Sequence, residues 1–229
     1  MRSDREVLDL IVNGGGPISR SLTARLEAFA HEVHTLGSPD VEDSATGFKV
    51  YFERVAESGK YYSNIFIDLT HGFNEVDAFN ADAIAAKTEL ERRINRLLRV
   101  LKYGALQMVR SNGGKIWVLC LDHSVSMSVT TPSNPVTNYA AMAAVQSVAQ
   151  EVMHFDVKVN LFLIHPPRES VDSAEWRKAK NHLRVYGLKY KPQSADHISE
   201  TLHMYSELKN LTTTGALIPL GSGIAIANY

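Results

Sequence analysis

A single cysteine in 229 residues, Cys120, excludes an internal disulfide. It lies in the apolar run Ile116-Trp117-Val118-Leu119-Cys120-Leu121, where a thiol acts as a small core hydrophobe rather than a nucleophile. Charge of one sign is as scarce. The 24 Lys and Arg against 25 Asp and Glu leave a net charge of −1, so no broad field draws the chain to nucleic acid or a membrane surface. Long hydrophobic runs are missing: none approaches the ~18 residues that span a bilayer. The first residues, Met1-Arg2-Ser3-Asp4-Arg5-Glu6, lead into a strand-like run with no secretory apolar core. A soluble, cytoplasmic protein is the expectation. Internal repeats, low-complexity tracts and a linker long enough to divide domains are also missing, and no metal site is expected. What is present is 45% apolar residues, enough for one domain, 1–229, with a full core.

Strand and helix patterns alternate along this chain. Residues 7–12 read as a short buried strand, followed by the turn Asn13-Gly14-Gly15-Gly16-Pro17. Leu22, Leu26, Phe29 and Val33 then recur at helical spacing, with Pro17 suited to a first helical turn. Residues 32–36 form a second strand and 37–48 a surface loop. Residues 49–55 alternate like a strand or a short helix, and 64–69 are a clearer buried strand. Too little chain lies between Leu36 and Ile65 for a full strand-helix pair, so the region between the second and fourth strands of a standard sheet is shortened or missing a helix. A long helix over 81–110 carries Leu90, Ile94, Leu97, Leu98 and Leu101 on one stripe. Arg92, Arg93, Arg96 and Arg99 lie largely on its other faces, where solvation is the usual fate and an interface or phosphate contact the sharper one. Strands over 115–121, 157–164 and 216–220 and helices over 139–155 and 195–208 complete the pattern. Repeated strand-helix alternation predicts an α/β fold, Rossmann-like, with a doubly wound parallel sheet.

Two places carry the outline of chemistry. The glycine turn after the first strand suits close approach of a phosphate to backbone N–H groups at a helix start. Asn138-Tyr139-Ala140-Ala141-Met142-Ala143 places a tyrosine on a small-residue helix with Ala143 one turn further on, on the same face. With Gly114-Lys115-Ile116, Val159-Asn160, Gln193-Ser194-Ala195-Asp196-His197-Ile198 and Thr213-Thr214-Gly215-Ala216-Leu217-Ile218-Pro219, these pieces resemble the short-chain dehydrogenase/reductase family over almost the whole length.

That resemblance implies a nicotinamide cofactor and a tyrosine-lysine pair, and this chain departs from the family at both. Ala143 stands where the family has the lysine that lowers the tyrosine's pKa and holds the nicotinamide ribose. Pro17-Ile18-Ser19-Arg20 falls where the family has glycine-isoleucine-glycine-arginine, so Pro17 removes a donor and Ser19 adds bulk. Leu69-Thr70-His71-Gly72 replaces asparagine-asparagine-alanine-glycine and keeps only the glycine. His71 reads either as a base at a strand's carboxyl end or as a loop histidine in a hydrogen bond. The serine thirteen residues before Tyr139 is Ser126, although alignment from the strand before it puts Leu121 there instead. Asn95 corresponds to the helix asparagine of the family's tetrad with spacing two residues short. Adjacent Asp122, His123 and Ser124 cannot face one another as a triad.

Catalytic residues are therefore expected only as vestiges (Tyr139, Ser126, Asn95), and so are the cofactor glycines Gly14, Gly15, Gly16 and Gly72. The family's assembly helices remain, with the small residues Ala140, Ala141, Ala144 and Ala149 suited to close helix packing. The expectation is a pseudoenzyme: a structural subunit, without cofactor of its own, of a hetero-oligomeric NAD-dependent dehydrogenase. A catalytically competent paralogue would hold NAD(P), in a heterotetramer. The pattern resembles the two-subunit alcohol dehydrogenase of anaerobic toluene degradation, which acts on a 2-(hydroxybenzyl)succinyl-CoA and has one degenerate subunit. Two alternatives stand beside it: an atypical reductase using Tyr139 with a substitute cation, and a ligand-binding or regulatory module with a vestigial cleft.

Overall fold

A computed structural model describes residues 7–37, 44–123, 125, 132–171, 174, 177 and 192–221. Six strands, β1 (Leu8–Val12), β2 (Glu32–Leu36), β3 (Asn64–Asp68), β4 (Gly114–Leu121), β5 (Val157–Ile164) and β6 (Leu217–Leu220), form one parallel sheet in the order β2-β1-β3-β4-β5-β6. The described helices are α1 (Pro17–Ala28), α2 (Ala45–Glu57), α3 (Glu75–Ala81), α4 (Ala83–Arg110), α5 (Pro135–Glu151) and α6 (Ala195–Glu207). This is the Rossmann-like α/β architecture expected. None of these helices is long and apolar enough to cross a membrane.

Strand alternation divides the core in two. Leu10, Ile65, Ile67, Val118 and Leu161 point to one face, against Phe48 and Phe52 of α2, Leu97 and Leu101 of α4, and Val145 of α5. Their neighbours Ile11, Phe66, Trp117, Leu119 and Phe162 point to the other, against Leu22 and Leu26 of α1 and Ile198 and Leu202 of α6. Because helices cover both faces, β1 and β3 are buried throughout and read as continuous apolar runs.

The shortened region is resolved in favour of a helix. Residues 49–55 lie inside α2, whose start Ser44 caps by accepting from the Gly47 N–H at 3.0 Å. The chain then crosses directly to β3, which pairs with β1. A strand is what this segment lacks, and β2, half exposed, forms the sheet edge.

The tyrosine helix also starts earlier than expected. Pro135 occupies the first turn of α5, so Tyr139 sits in its second turn. Buried Glu75, at the start of α3, accepts from the Val136 and Thr137 N–H groups at 2.8 Å each and from the Thr137 hydroxyl. In return the Asn134 side chain accepts from the Glu75 N–H at 3.1 Å and donates to Phe73 O at 3.0 Å. Each helix start satisfies donors of the other. Ala141, Ala144 and Ala149 are buried inside this chain, where α5 packs on α4 and β5, so that small-residue face serves the core.

Candidate functional site

In an open parallel sheet, ligands bind beyond the carboxyl ends of the strands. The turn after β1 lies there. Asn13 takes a left-handed φ of 61° and its N–H donates to Leu36 O at 2.9 Å, tying the turn to the end of β2. Gly16 caps α1 without a side-chain hydrogen bond. His71, from the turn after β3, lies directly on these glycines. A Cβ on Gly16 would stand 2.8 Å from His71 Nδ1, and one on Gly15 would stand 3.1 Å from Nε2. A side chain at either position would require the ring to move.

The imidazole faces Asp68, the last residue of β3. His71 Nδ1 lies 3.4 Å from Asp68 Oδ2, and buried Ser19 of α1 donates to that same oxygen. Asp68 Oδ1 accepts from the Thr70 N–H at 2.8 Å and its hydroxyl at 2.6 Å. Burial pushes the Asp68 carboxyl up. The hydrogen bond and charge of His71, with the Ser19 and Thr70 hydroxyls, outweigh that and hold it below its usual range. Ser19 therefore has its partner in β3. The sequence reading missed this pair; an acid closing the strand Asn64-Ile65-Phe66-Ile67-Asp68 was the available signal.

Beside the turn is a cleft of about 260 Å³, lined by Asn13, Gly14, Gly37, Gly72, Arg92, Arg93 and Arg96 among others. Two of these arginines depart from a solvated face. Arg96 is 2% exposed, donates to Gly37 O at 2.8 Å and lies 5.4 Å from the centre of the Phe48 ring. Arg93 donates to His71 O at 3.0 Å and to Glu89 at 3.1 Å. Arg92 pairs with both Glu89 oxygens at 2.7 Å. Gly72 has a φ of 80° and lies against the Arg93 guanidinium. Arg93 and Arg96 thus brace the chain after β3 and β2 while all three arginines line the cleft.

Two of the three expected catalytic vestiges lie on described helices, Tyr139 on α5 and Asn95 on α4. Tyr139 is 53% exposed, its ring centre 5.7 Å from that of His123, and Ala143 is exposed one turn on. Asn95 is exposed on α4. Ser126 lies outside the described residues. The Cys120 thiol is buried and pushed well up by that burial, as a core residue should be. One pair went unread in the sequence: buried Asp122 and His165, at the ends of β4 and β5, approach to 3.9 Å. Burial lowers the His165 pKa against the opposing Asp122 charge. His165 had signalled only a strand end.

The closing turn before β6 is held by Asn160 and Thr214. Asn160 Nδ2 donates to Thr213 O at 2.9 Å and its Oδ1 accepts from the Ala216 N–H at 3.0 Å. Thr214 accepts from the Val159 N–H at 3.1 Å.

No protein-family model and no curated protein matches this chain. Solved structures do. A short-chain dehydrogenase from Leptospira borgpetersenii with bound NAD+ has a TM-score of 0.77 at 13% identity, covering 96% of this chain and 92% of that one. A short-chain dehydrogenase/reductase from Mycobacterium ulcerans has a TM-score of 0.72 at 17% identity over 94% and 88%. A short-chain oxidoreductase from Pseudomonas aeruginosa with an atypical catalytic centre has a TM-score of 0.69 at 13% identity over 97% and 98%. The fold of this chain is that of the short-chain dehydrogenases/reductases.

Proposed function

We propose that this chain is a non-catalytic, structural subunit of a cytoplasmic, hetero-oligomeric NAD-dependent short-chain dehydrogenase. The carrying observation is His71 packed on Gly15 and Gly16. A pyrophosphate in this fold needs bare backbone N–H groups at the helix start. Here it would meet the His71 imidazole, which lies over both glycines with Asp68 behind it, and the residues present do not fit it. Tyr139 supports the same reading. A tyrosine acting as acid-base catalyst in this fold needs a cation beside it, and Ala143 supplies none one turn on. NAD(P) and the chemistry belong to a competent paralogue, with a heterotetramer as the assembly. The bound NAD+ of the Leptospira enzyme supports that cofactor class. Exposed Leu98 and Leu106 on α4, with Val136 and Tyr139 on α5, offer the partner an apolar face. The finer part of the proposal, a 2-(hydroxybenzyl)succinyl-CoA substrate in toluene degradation, rests on the motif pattern alone.

One observation favours a second reading, an active reductase: the His123 ring beside Tyr139 is a candidate substitute cation. Co-expression with a dehydrogenase paralogue encoded nearby, one carrying tyrosine-X-X-X-lysine, separates the two. We expect the chains to co-purify and turnover to survive Tyr139→Phe in this chain. Turnover by this chain alone, abolished by Tyr139→Phe, would establish the second reading instead.

A further inference from the structure

At the amino ends of the strands, the opposite edge of the sheet from the glycine turn, three side chains from distant parts of the chain converge. His31 immediately precedes β2, while His203 and Glu207 lie one turn apart at the end of α6. One nitrogen or oxygen from each lies within 4.8 Å of the other two, the one such cluster of three histidine, cysteine or acidic residues among the described residues.

The surroundings orient this cluster. Asp9, buried in β1, lies 2.7 Å from His31 Nδ1 through one oxygen and accepts from Asn64 Nδ2 at 2.8 Å through the other. In the neutral imidazole this assigns the proton to Nδ1 and the lone pair to Nε2. Nε2 faces Glu207 Oε1 at 3.4 Å. Two acceptors face each other there, an arrangement that calls for a cation between them. A proton on His31 would serve that pair, but it leaves His203 unexplained. His203 is only 8% exposed, and its Nε2 is buried with no hydrogen-bond partner. A buried nitrogen left without a partner needs a physical reason. The cations that act on the cluster have other partners: Arg25 pairs with Asp196 at 2.9 Å, and Lys115 donates to Ser206 O.

We propose that His31, His203 and Glu207 bind a zinc ion. Two imidazoles and a carboxylate are a donor set that suits zinc, and an aspartate behind a ligating histidine is the usual device for fixing its tautomer. Zinc–ligand distances near 2.1 Å in a tetrahedron put neighbouring donors about 3.4 Å apart. His31 and Glu207 already stand at that spacing, and a donor atom of His203 lies within 4.8 Å of both. Exposed Glu207 leaves the fourth position to water. The ion ties the end of α6 to the β1–β2 edge. It does so away from the cofactor cleft and from the α4–α5 face, so the site does not depend on the proposed subunit role.

The test is zinc competition between the metal-stripped chain and a chromophoric chelator, with thermal unfolding measured alongside. The chain should take up one zinc and gain in Tm, because an ion bound only by the folded state stabilises it. His203→Ala and Glu207→Gln should each weaken zinc by about tenfold or more and lose the Tm gain, whereas His154→Ala, at an exposed position elsewhere, should change neither. Glu207→Gln is a surface change and keeps the test valid if His203→Ala does not fold. Cobalt(II) in place of zinc should give the intense visible bands of a four-coordinate site. No zinc uptake by the unaltered chain, or equal uptake by both variants, would overturn the proposal.

Discussion

Glu75 and Asn134 set the entry to the tyrosine helix, and a buried carboxylate does most of it. Its oxygens accept from two backbone N–H groups and a hydroxyl at the start of α5. Glu75→Ala leaves those donors buried without partners. It should cost ~2–3 kcal/mol, the range of a lost cap and charged hydrogen bonds, read as a lower midpoint in urea. Half of this arrangement was legible: Asn134-Pro135 is a helix-start signal, whereas nothing local marks Glu75 as its acceptor. Asp68 carries a pH prediction. Its folded pKa is lowered, so its contribution is complete above the unfolded value near 4 and is lost as pH falls through the folded value. The unaltered chain should lose stability on acidification below about pH 4, and Asp68→Asn should flatten that loss while lowering stability at neutral pH. Unfolding midpoints measured from pH 3 to pH 7 check both.

Among the elements, strands buried on both faces were the most legible, because β1, β3, β4 and β5 are near-continuous apolar runs bounded by turn residues. The segment over 49–55 was not. Its short apolar pattern fits either period, and only packing of Phe48 and Phe52 onto the sheet decides for a helix. The arginines of α4 misled for a related reason: their helical faces were right, but the turns they meet come from β2 and β3. The small residues of α5 fit either an interface or a core, and the core takes them. The closing turn was legible as a motif, and the structure gives its threonine, glycine and Asn160 each a local task. Gly215 has a φ of 72°, its N–H donates to Val159 O at 2.7 Å, and a Cβ there would lie 3.3 Å from Ala149 Cβ. Gly215→Ala should cost ~1–2 kcal/mol in left-handed strain and speed amide exchange in β6 more than in β4.

For the molecule as a whole, the fold is that of the short-chain dehydrogenases/reductases, and the proposed role rests on two places in it. His71 lies over the glycine turn, and Ala143 follows Tyr139 by one helical turn. The sequence could show the residue types at those places. It could not show that Ser19, Asp68 and His71 join into one network over the turn, because that depends on α1 and β3 meeting in space. The assembly face gives a separate prediction. Leu98→Glu with Leu106→Glu places two charges on one exposed face of α4, so the chain should stay folded but lose its partner on size-exclusion chromatography. The most direct measurement of the subunit role is a calorimetric titration of the isolated chain with NADH and NADPH. The expected result is no saturable heat with either nucleotide. Saturable binding of a dinucleotide at micromolar affinity would contradict the reading of the glycine turn, and with it the assignment of the chemistry to a partner.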